Sequence, residues 1–272
     1  MTITVIGATG KVGALVARGL LAEGQRVRAL VRDPGRARDR LGPDSRPEII
    51  TGDPGTPADL EAAFRAADAA YVALGSIGLE GNLARLAILA AGRAALPQLV
   101  RLSVLNTSPT SLGINQHAHW NIDFAAAAAG IPYATVRPAI FSAGLLAAGP
   151  EIRASRTWTG LADTGKTGLA DHGDVADVCV RILLDPATRG QHYDLTGPEL
   201  LSWPDAMRLL AAEIGEPVTF QTTSETELIS RLTGTGASPG QAELLIARER
   251  ALQAGENERL TGEIQRLAGH DP

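Results

Sequence analysis

Thr2-Ile3-Thr4-Val5-Ile6-Gly7-Ala8-Thr9-Gly10-Lys11-Val12-Gly13 opens the chain and decides how the rest is read. The first five residues are all β-branched, which predicts a strand. Gly-x-x-Gly-x-x-Gly follows. Ala14-Leu15-Val16-Ala17-Arg18-Gly19-Leu20-Leu21 then predicts a helix. Strand, glycine turn and helix in this order build an anion site. Gly7 permits the tight turn, Gly10 lets the backbone approach a pyrophosphate, and Gly13 lets the helix lie close to the strand. The helix start offers free N–H groups and the positive end of its dipole. A glycine triplet alone would be a weak signal. Its place between a strand and a helix makes Gly7, Thr9, Gly10, Lys11, Val12 and Gly13 a candidate dinucleotide-binding set.

Gln25 to Val31 reads as a second strand, ending in the charged stretch Arg32-Asp33-Pro34. In a dinucleotide fold the residue after this strand meets the adenosine ribose. An acid there bonds the free 2′-hydroxyl, and an arginine accommodates a 2′-phosphate. Arg32 comes first, and its guanidinium matches a phosphate's planar geometry. The expected cofactor is therefore NADP, as NADPH, with Arg32 reading the phosphate. Arg36 and Arg38, just beyond, read as a solvated surface loop.

Strands and helices alternate along the first half. Glu48-Ile49-Ile50-Thr51-Gly52-Asp53 reads as strand three and Thr56 to Ala67 as a helix. Ala69 to Leu74 reads as strand four, Asn82 to Ala94 as a helix, and Leu99 to Val104 as strand five. Ile122 to Ala129 reads as a helix and Tyr133 to Pro138 as strand six. The strands are apolar runs, as a parallel sheet covered on both faces requires. The expectation is an α/β fold: a doubly wound parallel Rossmann sheet with a smaller C-terminal α/β lobe. Residues 1–140 would form the nucleotide-binding core, joined by a returning strand near 190–196. Residues 141–272 would form a substrate-side lobe and C-terminal helices. Ser202 with Asp205 three residues on predicts a capped helix from Ser202 to Ile214. Asp174 is expected to cap a helix from Val175 to Leu184.

Composition limits the function classes. The formal charge of −5 gives no electrostatic case for nucleic acid or a membrane surface. No apolar run is long enough to span a bilayer, and the N-terminus reads as a strand rather than a signal peptide. Cys179 is the single cysteine, so an internal disulfide is excluded and a cytoplasmic location is the expectation. The expected partner is a small molecule, and the protein is expected to be a monomer or a homodimer.

These residues carry a resemblance. The chain resembles the NmrA-like branch of the atypical short-chain dehydrogenase/reductases, including the NAD(P)H:quinone oxidoreductases of type 2. The matching stretches are Gly7-Ala8-Thr9-Gly10-Lys11-Val12-Gly13, Val31-Arg32-Asp33-Pro34, Gly52-Asp53 and Ser103-Val104-Leu105. They continue through Gly130-Ile131-Pro132-Tyr133-Ala134-Thr135-Val136-Arg137-Pro138, Asp174-Val175-Ala176-Asp177-Val178 and Tyr193-Asp194-Leu195-Thr196-Gly197-Pro198. The resemblance implies NADPH binding, with Asp53 near the adenine. It also implies that the end of strand four, Leu74, Gly75 and Ser76, lies towards the nicotinamide.

One departure stands out. Most short-chain dehydrogenases use Tyr-x-x-x-Lys, in which the lysine lowers the tyrosine's pKa for general acid–base work. The tyrosines here are Tyr71, Tyr133 and Tyr193, and four residues on stand Gly75, Arg137 and Gly197. The pair is missing. Counting back from Gly130 as the family pattern suggests, Asn115 falls at the tyrosine position and His119 at the lysine position. Ser103 stays at the usual serine position. Ser103, Asn115 and His119 are thus the candidate catalytic set. His119 and Asp123, spaced i and i+4, would share a helix face, and the carboxylate would raise the histidine's pKa. His117 and His119 alternate as two ligands might on an extended segment, but no third ligand joins them, and no metal is expected. Phe141 and Trp158 are candidates to line an apolar substrate cavity.

A quinone needs no such pair. It accepts hydride readily, and solvent or a weak acid can protonate the product oxygen. The functional expectation is an NADPH-dependent reductase of quinones or related conjugated, aromatic carbonyl compounds. The alternative is a non-catalytic NADP-binding redox sensor of the NmrA type.

Overall fold

The computed structural model describes residues 1–272 apart from Pro43, Asp44, Ser76, Ala129, Ile131 and Pro132. The chain runs β1 (Thr2–Ile6), α1 (Lys11–Ala22), β2 (Arg26–Val31), α2 (Pro34–Leu41), β3 (Glu48–Thr51), α3 (Pro57–Phe64) and β4 (Ala69–Val72). It continues with α4 (Gly78–Arg93), β5 (Leu99–Leu102), α5 (Ile114–Ala128), β6 (Tyr133–Pro138), α6 (Gly149–Ser155) and β7 (Thr157–Gly160). The last elements are α7 (His172–Leu184), β8 (His192–Leu195), α8 (Trp203–Ile214), β9 (Thr219–Thr222), α9 (Glu225–Gly234), α10 (Pro239–Gln253) and α11 (Glu263–Ala268).

The sheet has the order β3-β2-β1-β4-β5-β6-β8, with every pairing parallel. This is the doubly wound order, and its direction reverses between β1 and β4. Strand side chains alternate between two apolar layers. Val5, Ala29, Tyr71 and Val100 face α1, α7 and α11 on one side. Ile6, Leu30, Val72 and Leu99 face α3, α4 and α5 on the other. Fully buried side chains such as Leu20 and Ile88 each contribute roughly 1.5–3 kcal/mol. The segment after residue 140 supplies α7, β8 and α11 to this core. It also forms a smaller layer around Trp158, Trp203, Met207 and Phe220, with β7 and β9 paired in parallel.

Several boundaries differ from the sequence reading. Residues 34–41, read as a loop, form α2: Pro34 fits its first turn and Asp33 caps it by accepting from the Arg36 N–H at 3.0 Å. Arg36 and Arg38 therefore ride on a helix. α4 begins at Gly78 rather than Asn82. α5 begins at Ile114 rather than Ile122, because its inward face is half polar. Gln116, His119 and Asp123 share that face with Ile122 and Ala126, so apolar periodicity alone misses the first two turns. α7 begins at His172, and its cap is Asp171, which accepts from the Gly173 N–H at 2.6 Å; Asp174 sits inside the first turn instead. α8 begins as expected, with Ser202 and Asp205 in a reciprocal capping box. No helix among the described residues is long and apolar enough to cross a membrane.

Candidate dinucleotide and substrate site

The turn after β1 has the features a pyrophosphate needs. Gly7 holds φ at +92°, a conformation costly for other residues, and its carbonyl accepts the Gly10 N–H at 2.9 Å. A Cβ on Gly13 would collide with the carbonyl of Gly7, so only glycine lets α1 approach β1 this closely. A Cβ on Gly10 would meet only the Gly7 oxygen, at 3.2 Å, among the described residues. The space in front of Gly10 is thus open to a ligand. No side chain among the described residues caps α1, so its first-turn N–H groups are available to an anion. Gly10 and Lys11 are exposed, Thr9 is half-buried, and Val12 packs into the core and offers only its backbone N–H.

Arg32 follows β2 directly and is exposed. Asp33 uses its carboxylate on the α2 N-terminus, so the acid at this corner is engaged and the guanidinium faces solvent. Asp53 donates its backbone N–H to Asp59 at 2.9 Å and accepts the Gly55 N–H at 2.7 Å. These bonds fix the turn after β3. Leu74 and Gly75 are half-buried just beyond β4, on the far side of the switch point from Gly7. Ser76 lies outside the described residues.

Beyond them, a cavity of about 330 Å³ opens at the carboxyl ends of β5 and β6. Leu105, Ile140 and Phe141 form its strand-end wall, and Asn115 and Gln116 from the start of α5 form its side. Leu244, Leu245 and Arg248 of α10, with Asn257 after it, complete it. Phe141 stacks on His172 at 4.1 Å between ring centroids. His172 in turn feels Lys11, whose charge, after burial, helps hold its pKa below the ordinary histidine value. The stack thus connects the cavity wall to the glycine cradle. Trp158 does not line the cavity; it packs on Trp203 and Phe220 in the smaller layer.

Ser103 and His119 are brought together, but behind the cavity rather than in it. Ser103 is 1% exposed and donates its hydroxyl to Asp123 Oδ2 at 3.0 Å. Asp123 Oδ1 pairs with the buried Arg101 guanidinium, and Arg137 approaches its other oxygen at 3.7 Å. Arg101 Nη2 lies 2.6 Å from His119 Nδ1, which must accept from it. The expectation that Asp123 raises the His119 pKa is therefore corrected. The carboxylate is engaged by Arg101 and Ser103 rather than by the imidazole. Burial first, and the Arg101 charge second, push His119 down to about 3. Accepting from Arg101 and held neutral by burial, His119 belongs to a side-chain cluster with Arg101, Asp123 and Ser103. Ser103 is likewise engaged by Asp123. His117 and His119 lie on different faces of α5, one exposed and one buried. Among the described residues no group of side chains is spaced to hold a metal.

Sequence reasoning missed Gln116, Arg248 and Asn257. The tail helices carried no motif, and nothing local announces which face of α10 turns towards the strand ends.

The sheet order and the glycine cradle define a Rossmann-type dinucleotide-binding protein. Residues 7–186 match the family described as NAD(P)H-binding, and the chain belongs to that family. It is 25% identical over 271 residues to quinone oxidoreductase 2 of Escherichia coli, covering 98% of this chain and 94% of that protein. The solved structure of the Escherichia coli NADPH-dependent quinone oxidoreductase with NADPH superposes with a TM-score of 0.92 at 24% identity, covering 100% of this chain and 95% of that one. NAD(P)H azoreductase of Xenophilus azovorans is 27% identical over 250 residues, covering 89% and 84%. The solved structure of NmrA, a negative transcriptional regulator, has the same fold, with a TM-score of 0.80 at 19% identity, covering 100% and 92%.

Proposed function

We propose that this NAD(P)H-dependent oxidoreductase reduces quinones or related flat, conjugated carbonyl compounds, with NADPH as the donor and no side-chain acid in the transfer step. The observation that carries the reading is the cavity's lining. Among the described residues, those lining it include no histidine, cysteine, tyrosine, lysine or carboxylate, and the Tyr-x-x-x-Lys pair is absent. A simple ketone needs proton donation as hydride arrives, help worth ~10²–10⁴-fold. A quinone does not, because its product charge is delocalised into an aromatic ring.

The residues divide the work by position. Gly7, Gly10, Gly13 and the first turn of α1 would hold the pyrophosphate. Arg32 would hold the 2′-phosphate, and Asp53 would border the adenine. Leu74 and Gly75 would pass the cofactor towards the cavity, where the bound nicotinamide supplies hydride. Leu105, Ile140 and Phe141 exclude water and keep a planar acceptor flat against the strand ends. Asn115, at the cavity's side, would orient an acceptor oxygen. The Arg101–Asp123–Ser103–His119 cluster positions α5, and with it Asn115 and Gln116.

The test is loss of NADPH absorbance with a panel of naphthoquinones, benzoquinones and unactivated ketones. Turnover of quinones with ketones left untouched supports the reading. Tight NADPH binding with no turnover of any acceptor would instead favour a nucleotide-responsive regulator.

A further inference from the structure

The cavity has two polar features that hydride transfer itself does not explain. Asn257 is 2% exposed, lines the cavity, and its Nδ2 has no hydrogen-bond partner among the described residues. The Nε of Arg248, in the same wall, is also buried and unpartnered. Buried donors without acceptors are destabilising and uncommon, so two in one cavity wall call for an explanation.

Both residues are held in place by their surroundings. Glu256, the neighbour of Asn257, accepts the Ser111 hydroxyl at 2.5 Å and the Leu112 N–H at 2.9 Å, which pins the turn to the approach of α5. Arg248 lies over the Trp203 ring at 5.9 Å and donates Nη2 to Glu249 at 2.8 Å. Glu249 is itself buried and also accepts from Trp203 Nε1 at 2.9 Å and the Ala162 N–H at 3.2 Å. Its charge balances that of Arg248. What this wall offers a ligand is therefore hydrogen-bond donors without a net positive charge.

We propose that Asn257 and Arg248 form a specificity subsite for a neutral acceptor oxygen, the second carbonyl of a quinone-like substrate. The inference rests on the reductase reading and adds the side chains that select the substrate. A flat acceptor with oxygens at both ends satisfies the donors of this wall while its other carbonyl end lies at the strand ends. A cationic dye or iminium without such an oxygen leaves both donors unpaired. The subsite therefore discriminates by what it leaves unsatisfied, the mode in which polar sites reject analogues best.

The experiment measures binding and turnover separately, on the NADP-loaded protein. Menadione and the cationic triarylmethane dye malachite green are titrated by calorimetry into wild type, Asn257→Leu and Asn257→Asp, and kcat and KM are measured with NADPH. Wild type is expected to bind menadione more tightly than the dye. Both variants should weaken menadione about tenfold, through KM more than kcat, with NADPH affinity unchanged. Asn257→Leu removes the donor at similar volume, and Asn257→Asp replaces it with an acceptor, so a shared loss points to the donor. Equal menadione affinity in all three proteins overturns the subsite, as does wild type that binds the dye better or binds neither. If wild type binds menadione in an Asn257-dependent way but never reduces it, the reductase reading fails while the subsite stands.

Discussion

The turn after β1 and the cluster behind the end of β5 stand at the same edge of one sheet, yet they are built from different materials. The turn acts through its backbone. Its glycines make room, and no side chain among the described residues caps its N–H groups. The cluster acts through side chains that face each other: Arg101, Asp123, Ser103 and His119 satisfy one another out of reach of a ligand. A backbone site is spelled by local order and spacing. A side-chain cluster depends on which face of α5 meets β5, and that is decided only when the two pack. The difference explains why local order points to the glycine cradle, while the contacts of Ser103 and His119 emerge only from packing.

The sharpest way to break the comparison is at the turn. Gly10→Val should abolish binding of either nucleotide, because a branched side chain stands where the pyrophosphate must approach. The fold should survive, since a Cβ there meets only the Gly7 oxygen, at 3.2 Å. Calorimetry with NADPH and a thermal melt check both halves. A folded variant that binds NADPH normally removes the basis of the cofactor assignment.

The cluster should respond in stability instead. Asp123→Asn leaves the Arg101 guanidinium buried without its carboxylate and should cost ~3–5 kcal/mol in urea unfolding. A loss below about 1 kcal/mol would mean that the cluster does not hold α5. Arg32 lies at the solvent edge of the cradle and should act more weakly and selectively. Arg32→Ala should weaken NADPH by ~1–3 kcal/mol and leave NADH nearly unchanged. Equal losses for both would show that Arg32 does not read the 2′-phosphate.

Acidification separates the cluster's histidine from a catalytic one. His119 titrates at about 3 in the folded protein against an ordinary 6.5. Between those values the unfolded chain holds a proton that the native state excludes, so stability falls as pH drops from about 6.5 to about 3. Wild type should therefore lose roughly 2 kcal/mol more than His119→Gln between about pH 7 and about pH 5. Parallel losses in the two proteins would place the imidazole in water.

Much of the fold was legible because strand and helix signals reinforce each other. The β-branched run at Thr2–Ile6, the apolar strand Tyr133–Pro138 and the Ser202–Asp205 cap all lie where sequence places them. The start of α5 was not legible, because Gln116, His119 and Asp123 put polar groups on an inward face. The cap of α7 is Asp171 rather than Asp174: both are plausible caps by residue type, and the extended backbone of Asp171 with its bond from the Gly173 N–H separates them. Arg248 and Asn257 reach the cavity through tertiary packing of α10, which no spacing in the tail encodes.

On the proposed function hydride transfer needs no protein acid, and the His119→Gln variant puts this to the test. In the variant, kcat/KM for menadione with NADPH should stay within about threefold of wild type, since the imidazole is neutral and buried behind the cavity. A loss of about a hundredfold or more, with NADPH affinity and fold intact, would make His119 a working acid and contradict the account.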